Sequence, residues 1–584
     1  MEWVTVTTSA SVEKPEEVVA LFHLTRDFAA KHLPLQAIKC LEAVVGAQPP
    51  FLPQIEAEAR ANLAIFLLRY THNAREAKVH LEQALRTAED LPVSLTFVCK
   101  VISLLIACLG KLQSPVQQKQ VLAKGLDLVR ADQLQFEGAT EGEKTRWYLV
   151  FQAHLAQILV DEGDKQAALE MARESKKEIK GRCAPLVQIQ TELTVLQLTL
   201  VAQDYHRAAE QLDICEEALK MCDTQDALES WAYFHLLHSL YNLRVGKHVD
   251  LKKSLGCAQK KIYALRQSQV VAKLIPPDFL EVLHCLLVSI YFRLSGDFRD
   301  EKSKVLEAHS MIKKRSVLMS SNYNDAVSKP FYITLTFLVV ESEIISSLTR
   351  GNIKEAMSNI MRIANMVHRY PETLVGLESS VYLLMGSVNI LCGNHGSAEK
   401  HMKLALDSSS DDYQSNLAKL QMCLICLEND MLSTSEAADR IQELSVSFKE
   451  EERGYPAFLL CEVALALAQE DVGGAKKIVQ DLIARANHKG DRQLLALGLV
   501  EYAKVLVLEG DTTLSKQVVD SAKGLATHLQ HLPTLLHVLT FSNQNMRQEE
   551  VLPIVLQKWK KTVATGITNI AETKCDEIMQ GLVK

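Results

Sequence analysis

Apolar residues recur three and four positions apart along nearly the whole chain, as in ANLAIFLLRY (61–70), YLVFQAHLAQILV (148–160), WAYFHLLHSLYNLR (231–244) and LLALGLVEYAKVLVLEG (494–510). That spacing is the period of an amphipathic helix, and the strict alternation of a half-buried strand is rare. Prolines fall mainly between such runs, at Pro49, Pro50, Pro53, Pro92, Pro276, Pro277, Pro330, Pro371 and Pro456, where a missing amide donor costs least. The pattern predicts an all-α chain.

The stretch LMGSVNILCGNHGSAEKHMKLAL (384–406) reads as helix, turn, helix. Gly393 ends the first helix and Asn394 caps the second. Gly386 and Ala398, twelve positions apart, predict a close approach of the two helices, and Ala405 predicts one to the helix that follows. The motif recurs: Asn73 precedes Ala77, Gly163-Asp164 precedes Ala168, Gln203-Asp204 precedes Ala208, Gly351-Asn352 precedes Ala356, and Glu470-Asp471 precedes Ala475. Gly296-Asp297 and Gly510-Asp511 keep the turn but carry Glu301 and Ser515 at the small site. This spacing resembles the tetratricopeptide repeat (TPR), with clear turns about 40 to 55 residues apart, or about twice 40 where one repeat is degenerate.

The expected fold is therefore a TPR-like superhelix, an α-solenoid of about ten to twelve hairpins in which each unit buries its apolar face only against its neighbours. We expect a helical cap over residues 1–40, the repeats over 41–545 and a second cap over 546–584. Residues 316–330 read as a less regular connection, and DSSSDD (407–412) as an exposed loop or cap. A solenoid of this kind presents an inner groove, lined by the first helix of each pair, that suits an extended polypeptide. The register set by Ala77 points Asn62, Phe66, Arg69 and Tyr70 at that groove; the same register adds Gln157, Gln197 and Leu240. Phe66 and Tyr70 have a competing reading as packing between repeats.

Composition narrows the partner. The 584 residues hold 64 basic and 71 acidic side chains, a net charge of −7, which gives no chain-wide attraction to phosphate. Basic clusters at Lys313-Lys314-Arg315 and around Trp559 read as solvated helix faces. The 13 cysteines are dilute and sit in apolar helical context, Cys99, Cys108, Cys215, Cys285, Cys392 and Cys461 among them, which suits core thiols of a reducing compartment. MEWVTVTTSASVEKPEEVV lacks the features of a secretory signal, and runs such as VISLLIACLG and FYITLTFLVV are about half the length of a bilayer span. An intracellular, soluble protein is expected.

Candidates for chemistry are weak. Cys423-Leu-Ile-Cys426 has CxxC spacing but no second pair, and lies in LAKLQMCLICLEND, where it places two small residues on one helix face. His235 and His238 share a face without a completing carboxylate at recognised spacing. Phosphate loops, HExxH and GxSxG elbows do not occur in the sequence. We expect no catalytic residues, metal, cofactor, small-molecule substrate, membrane contact or direct nucleic-acid site.

Residues Cys40 to Leu85, CLEAVVGAQPPFLPQIEAEARANLAIFLLRYTHNAREAKVHLEQAL, resemble the first repeats of the chromatid cohesion factor family, the TPR subunit of the cohesin loading complex. The resemblance rests on Cys40-Leu41, Pro50, Glu58-Ala59-Arg60, Thr71, Asn73, Ala77, His80-Leu81-Glu82 and Ala84, and continues more weakly through LLVSIYFRLSGDFRDEKSKVLEAH and EVALALAQEDVGGAKKIVQDLIARA. It implies a superhelix wrapped around the N-terminal segment of a large HEAT-repeat partner, the Nipped-B-like loader subunit. It further implies indirect contact with cohesin and chromatin, a role in sister chromatid cohesion and chromosome segregation, and a nuclear location with the cytoplasm as a second compartment. Two departures stand out: the repeats start almost at once, and VISLLIACLGKLQSPVQQKQVLAKGL diverges. The competing reading is a scaffold of a proteasome-lid or ubiquitin-ligase type. A lid subunit's terminal winged helix finds no strand pattern in residues 541–584, and a carboxylate-clamping co-chaperone would need basic residues where Asn62, Gln157 and Gln197 stand.

Overall fold

The computed structural model describes residues 15–546, apart from connecting segments at 32, 48–52, 72, 90–93, 131–139, 180–183, 223–226, 269–274, 322–328, 372, 410–411, 429–433, 446–447 and 449–453. The described residues form 25 helices. They group by their contacts into two units, one drawn from residues 1–202 with 313–330 and the other from 203–312 with 331–584. This division runs through the span 41–545 treated above as one superhelix.

Helices α1 (Pro15–Ala30), α2 (Pro34–Gly46), α3 (Pro53–Tyr70), α4 (Ala74–Glu89), α5 (Leu95–Lys111), α6 (Pro115–Arg130), α7 (Glu141–Asp161), α8 (Lys165–Ile179) and α9 (Pro185–Val201) lie in the first unit. The second holds α10 (Tyr205–Lys220), α11 (Leu228–Val245), α12 (His248–Gln267), α13 (Pro277–Ser295) and the start of α14 (Phe298–Ser321). It continues through α15 (Lys329–Thr349), α16 (Ile353–Arg369), α17 (Glu378–Leu391), α18 (His395–Ser408), α19 (Asp412–Glu428) and α20 (Thr434–Ser445). It ends with α21 (Tyr455–Ala468), α22 (Val472–Lys489), α23 (Arg492–Leu508), α24 (Thr512–His528) and α25 (Leu532–Met546). Residue 40 lies inside α2, and residues 547–584, with the Trp559 cluster, lie outside the described residues.

The turns explain why the hairpins form. At the end of α17, Gly393 takes a φ of 72°, which an L side chain resists, and lets the Asn394 amide donate back to Asn389 O at 2.9 Å. The Asn394 side chain then accepts from the Ser397 amide and caps α18. Gly163-Asp164, Gly351-Asn352 and Gly510-Asp511 repeat the geometry; Glu470-Asp471 reaches it with a φ of 60° on a non-glycine residue, and Gln203, before the cap Asp204, has a φ of 59°.

Even helices bury one stripe, as do Ala168, Leu169, Ala172, Ser175 and Ile179 of α8. Odd helices bury two, as do Ala57, Ala59, Ala61, Leu63, Ala64, Phe66 and Leu67 of α3. The cause is their position: α3 packs against α4 on one side and α2 on the other, and touches the odd helix α5 as well. Contacts of this odd-to-odd kind recur at α5 with α7, α11 with α13, and along α17, α19, α21, α23 and α25. The small-site alanines Ala77, Ala168, Ala356, Ala398 and Ala475 are fully buried where paired helices cross, and Ala208 on α10 is fully buried as well. Gly386 serves the expected close approach of α17 to α18: a Cβ there would collide with Met402 Cε, so its missing side chain admits Met402 of α18.

Three expectations change. α14 runs on to Ser321, so the first part of the stretch read as irregular is helical. Residues 330–349 of α15 are long and apolar enough to cross a membrane by length and composition, twice the run noted above. Here they form a core helix, with Phe337, Val340 and Ile344 fully buried. Cys392 is half-buried, whereas Cys99, Cys108, Cys215, Cys285, Cys423 and Cys461 are core thiols. Burial raises Cys99 and Cys285 to about 12 and Cys108 to about 11.

Candidate partner-binding face

Where odd helices touch odd helices their free edges lie side by side, from α3 to α7 in the first unit and, in the second, at α11 with α13 and from α17 to α25. In the first unit, Trp147 Nε1 on α7 donates to Thr96 Oγ1 on α5 at 3.5 Å, and Lys111 Nζ on α5 donates to Leu68 O on α3 at 3.4 Å. The predicted contact residues do not all reach this face. Phe66 is fully buried in the α1–α5 core, so its place in the groove set is corrected: it packs between repeats, 5.5 Å from the Tyr70 ring. Asn62 and Arg69 are half-buried, and Tyr70 keeps 39% of its surface exposed.

Gln157, Gln197 and Leu240 stand seven positions before their caps Asp164, Asp204 and Lys247, as Phe66 does before Asn73. Both glutamines are exposed, with Gln157 Nε2 donating to Asp161 Oδ1 at 2.7 Å. Leu240 is half-buried against the α11–α13 core. One register therefore yields exposed, half-buried and buried side chains, because the odd helices rotate differently against their neighbours.

In the second unit a polar ladder follows the odd helices, which the sequence reading missed. Gln414 Nε2 on α19 donates to Ser380 Oγ on α17 at 2.7 Å, and Ser387 Oγ donates to Gln421 Oε1 at 3.4 Å. On α15, burial raises the half-buried Glu341 carboxyl; Ser380 of α17, Arg293 of α13 and Arg244 of α11 act against the rise. Glu462 on α21 is raised by burial alone. Burial also pushes on Glu501 of α23, but His537 of α25 at 3.4 Å and Lys504 at 2.8 Å outweigh it and hold the carboxyl below its ordinary value. With Tyr233 on α11, the odd helices of this unit carry carboxylates, amides, hydroxyls and an aromatic ring, groups that suit the backbone and side chains of an extended peptide. The two ladder bonds both join α17 to α19 across 34 residues, whereas the carboxylates lie on other helices at no shared spacing.

His235 stacks on Trp231 at 5.5 Å and is lowered to about 4 by burial, with His238 and Lys261 adding to the fall. Both histidines are packing residues on α11. Among the described residues no group of His, Cys, Asp and Glu is placed to hold a metal ion, and the Cys426 side chain lies outside them.

No family model matches the chain. It is 22% identical to the sister chromatid cohesion protein SCC4 of Arabidopsis thaliana, over 86% of this chain and 82% of that protein. To a MAU2 chromatid cohesion factor homolog of Drosophila yakuba it is 20% identical, over 89% of this chain and 82% of the relative. A solved structure of Scc4 in complex with Scc2n covers 89% of this chain and 95% of its own, at 10% identity and a TM-score of 0.42. Over most of its length the chain is thus similar to the SCC4 and MAU2 chromatid cohesion factors, the family that Cys40 to Leu85 resemble.

Proposed function

We propose that this chain is the non-catalytic adaptor of a cohesin loading complex. Its odd-helix face holds the N-terminal segment of the large HEAT-repeat loader subunit in extended form, and the pair supports cohesin loading onto chromatin for sister chromatid cohesion. The observation that carries the reading is similarity to SCC4 across 86% of this chain and 82% of that protein, which spans far more than one generic repeat. A long segment laid along such a face buries several times the roughly 1,600 Å² of a standard interface, enough to offset the cost of ordering it.

The net charge of −7 leaves DNA contact to partners, and the complex acts in the nucleus. Asn62, Arg69, Tyr70, Gln157 and Gln197 are the contact residues of the first unit, and Leu240 adds the surface that the α11–α13 core leaves open. The division into a cap at 1–40, repeats at 41–545 and a cap at 546–584 belongs to the same reading. Co-expression with the N-terminal segment of a Nipped-B-like protein, followed by purification in high salt, tests it. A stable stoichiometric complex is expected; two separate species would remove the function and leave the fold standing.

A further inference from the structure

Within the second unit the row of hairpins returns on itself. Gly246, in the turn between α11 and α12, faces Lys489 at the end of α22: a Cβ there would lie 3.0 Å from Lys489 Cδ and 3.6 Å from its Cβ. Gly490, one residue on, faces His248 at the start of α12, with 3.8 Å between the two Cβ positions. Gly296, between α13 and α14, is capped by the fully buried Leu529, whose Cδ2 would stand 2.8 Å from an added Cβ. Helix α13 also meets α23 directly. These contacts join one edge of the row to the other across more than two hundred residues of chain.

The seam differs in kind from the interfaces beside it. Neighbouring hairpins share buried aliphatic clusters, such as Leu236, Leu251, Leu280 and Leu287 across α11–α13. The seam brings together turns, through three glycines with φ of 72° to 82°, the stem of Lys489, the His248 ring and the single knob of Leu529. Interfaces stacked on an apolar core hold with the helices, whereas turn-to-turn contacts at a chain's return open at lower cost. We propose that this seam is a gate, which opens to admit a partner segment sideways and closes around it. The proposal rests on the adaptor reading above. It adds that entry does not require threading a free end.

The test locks the gate. In a Cys257→Ser background, which removes an exposed thiol on α12, the pair His248→Cys with Gly490→Cys has the Cβ separation of a disulfide. Gly246→Cys with Lys489→Cys is an independent second pair, and Leu529→Ala loosens the seam with no glycine touched. The probe is the loader's N-terminal segment, either free or fused at both ends to folded fluorescent proteins too large to thread. Reduced protein is expected to capture both forms, and oxidised protein to capture the doubly fused form at least tenfold more slowly, with recovery on reduction. Leu529→Ala should speed capture several-fold. Equal capture of the doubly fused segment by locked and reduced protein would overturn the gate, as would failure of both pairs to cross-link. If reduced protein captures neither form, the adaptor reading falls and takes the gate with it. Capture of the free segment alone would leave the adaptor standing without the gate.

Discussion

The hairpins α17–α18 and α13–α14 use the same turn and differ at the point of closest approach. In the first, Ala398 sits four residues after the cap Asn394 and is fully buried. At the matching place after Asp297 the second carries Glu301, which is as deeply buried. Its carboxylate accepts from Arg293 Nη1 at 3.2 Å and from Ser346 Oγ at 2.8 Å, while Arg293 also donates to Ser342 O at 2.7 Å. Burial pushes the Glu301 carboxyl up, and Arg293 with Ser346 holds it back. A methyl group packs where it touches, but this buried carboxylate needs a cation from its own hairpin and a hydroxyl from α15 of the next as well. The comparison shows that the turn sets the hairpin, while the small site can be filled by any group whose needs the neighbours meet.

The largest expected effect comes from separating the ion pair. Glu301→Ala leaves the Arg293 guanidinium buried without its carboxylate and should cost about 3–5 kcal/mol, while Arg293→Met with Glu301→Ala should be near neutral. Hydrogen exchange across α13–α15 measures both, because a long repeat array need not unfold in one step. Ala398→Glu, which supplies no cation, should cost a similar amount.

Next comes the cap. Where Asn394 caps α18 with an amide, His531 caps α25 through Nδ1, which accepts from the Thr534 amide at 3.2 Å. Burial lowers His531 to about 4, so the folded protein holds it neutral. Its contribution is complete above the unfolded value near 6.5 and is lost as pH falls toward 4, on the order of 3 kcal/mol. Proteolysis or exchange at α25 should rise over that window, and α18 should not respond through its cap.

Smaller still is Gly386→Ala, which presses on Met402 and should cost about 1–2 kcal/mol, read from thermal unfolding and relieved in part by Met402→Ala. The smallest effect is a gain. Glu470→Gly gives the α21–α22 turn the residue that Gly393 supplies to α17–α18, and should stabilise by about 0.5–1 kcal/mol in the same assay.

Much of this fold could be read from spacing. Turns such as Gly163-Asp164 and small sites such as Ala356 are local features, set by conformations only a few residue types tolerate, so they show in the sequence. Glu301 and Ser515 looked like lapses because their partners, Arg293 with Ser346 and the Ala503 carbonyl at 2.9 Å, lie on other helices. The same holds for the binding face. Offsets from a cap could not tell buried Phe66 from exposed Gln157, since that depends on how each odd helix turns against its neighbours. The seam at Gly246, Gly296 and Gly490 joins residues that no local pattern connects.

The central claim is that a partner lies along the odd helices. Hydroxyl-radical footprinting of the full chain, with and without the loader's N-terminal segment, reads it at two tyrosines: Tyr70 on α3, 39% exposed, and Tyr263 on α12, 65% exposed. The account predicts that bound segment shields Tyr70 and leaves Tyr263 as reactive as before; shielding of Tyr263 with Tyr70 unchanged would place the partner on the even helices and contradict it.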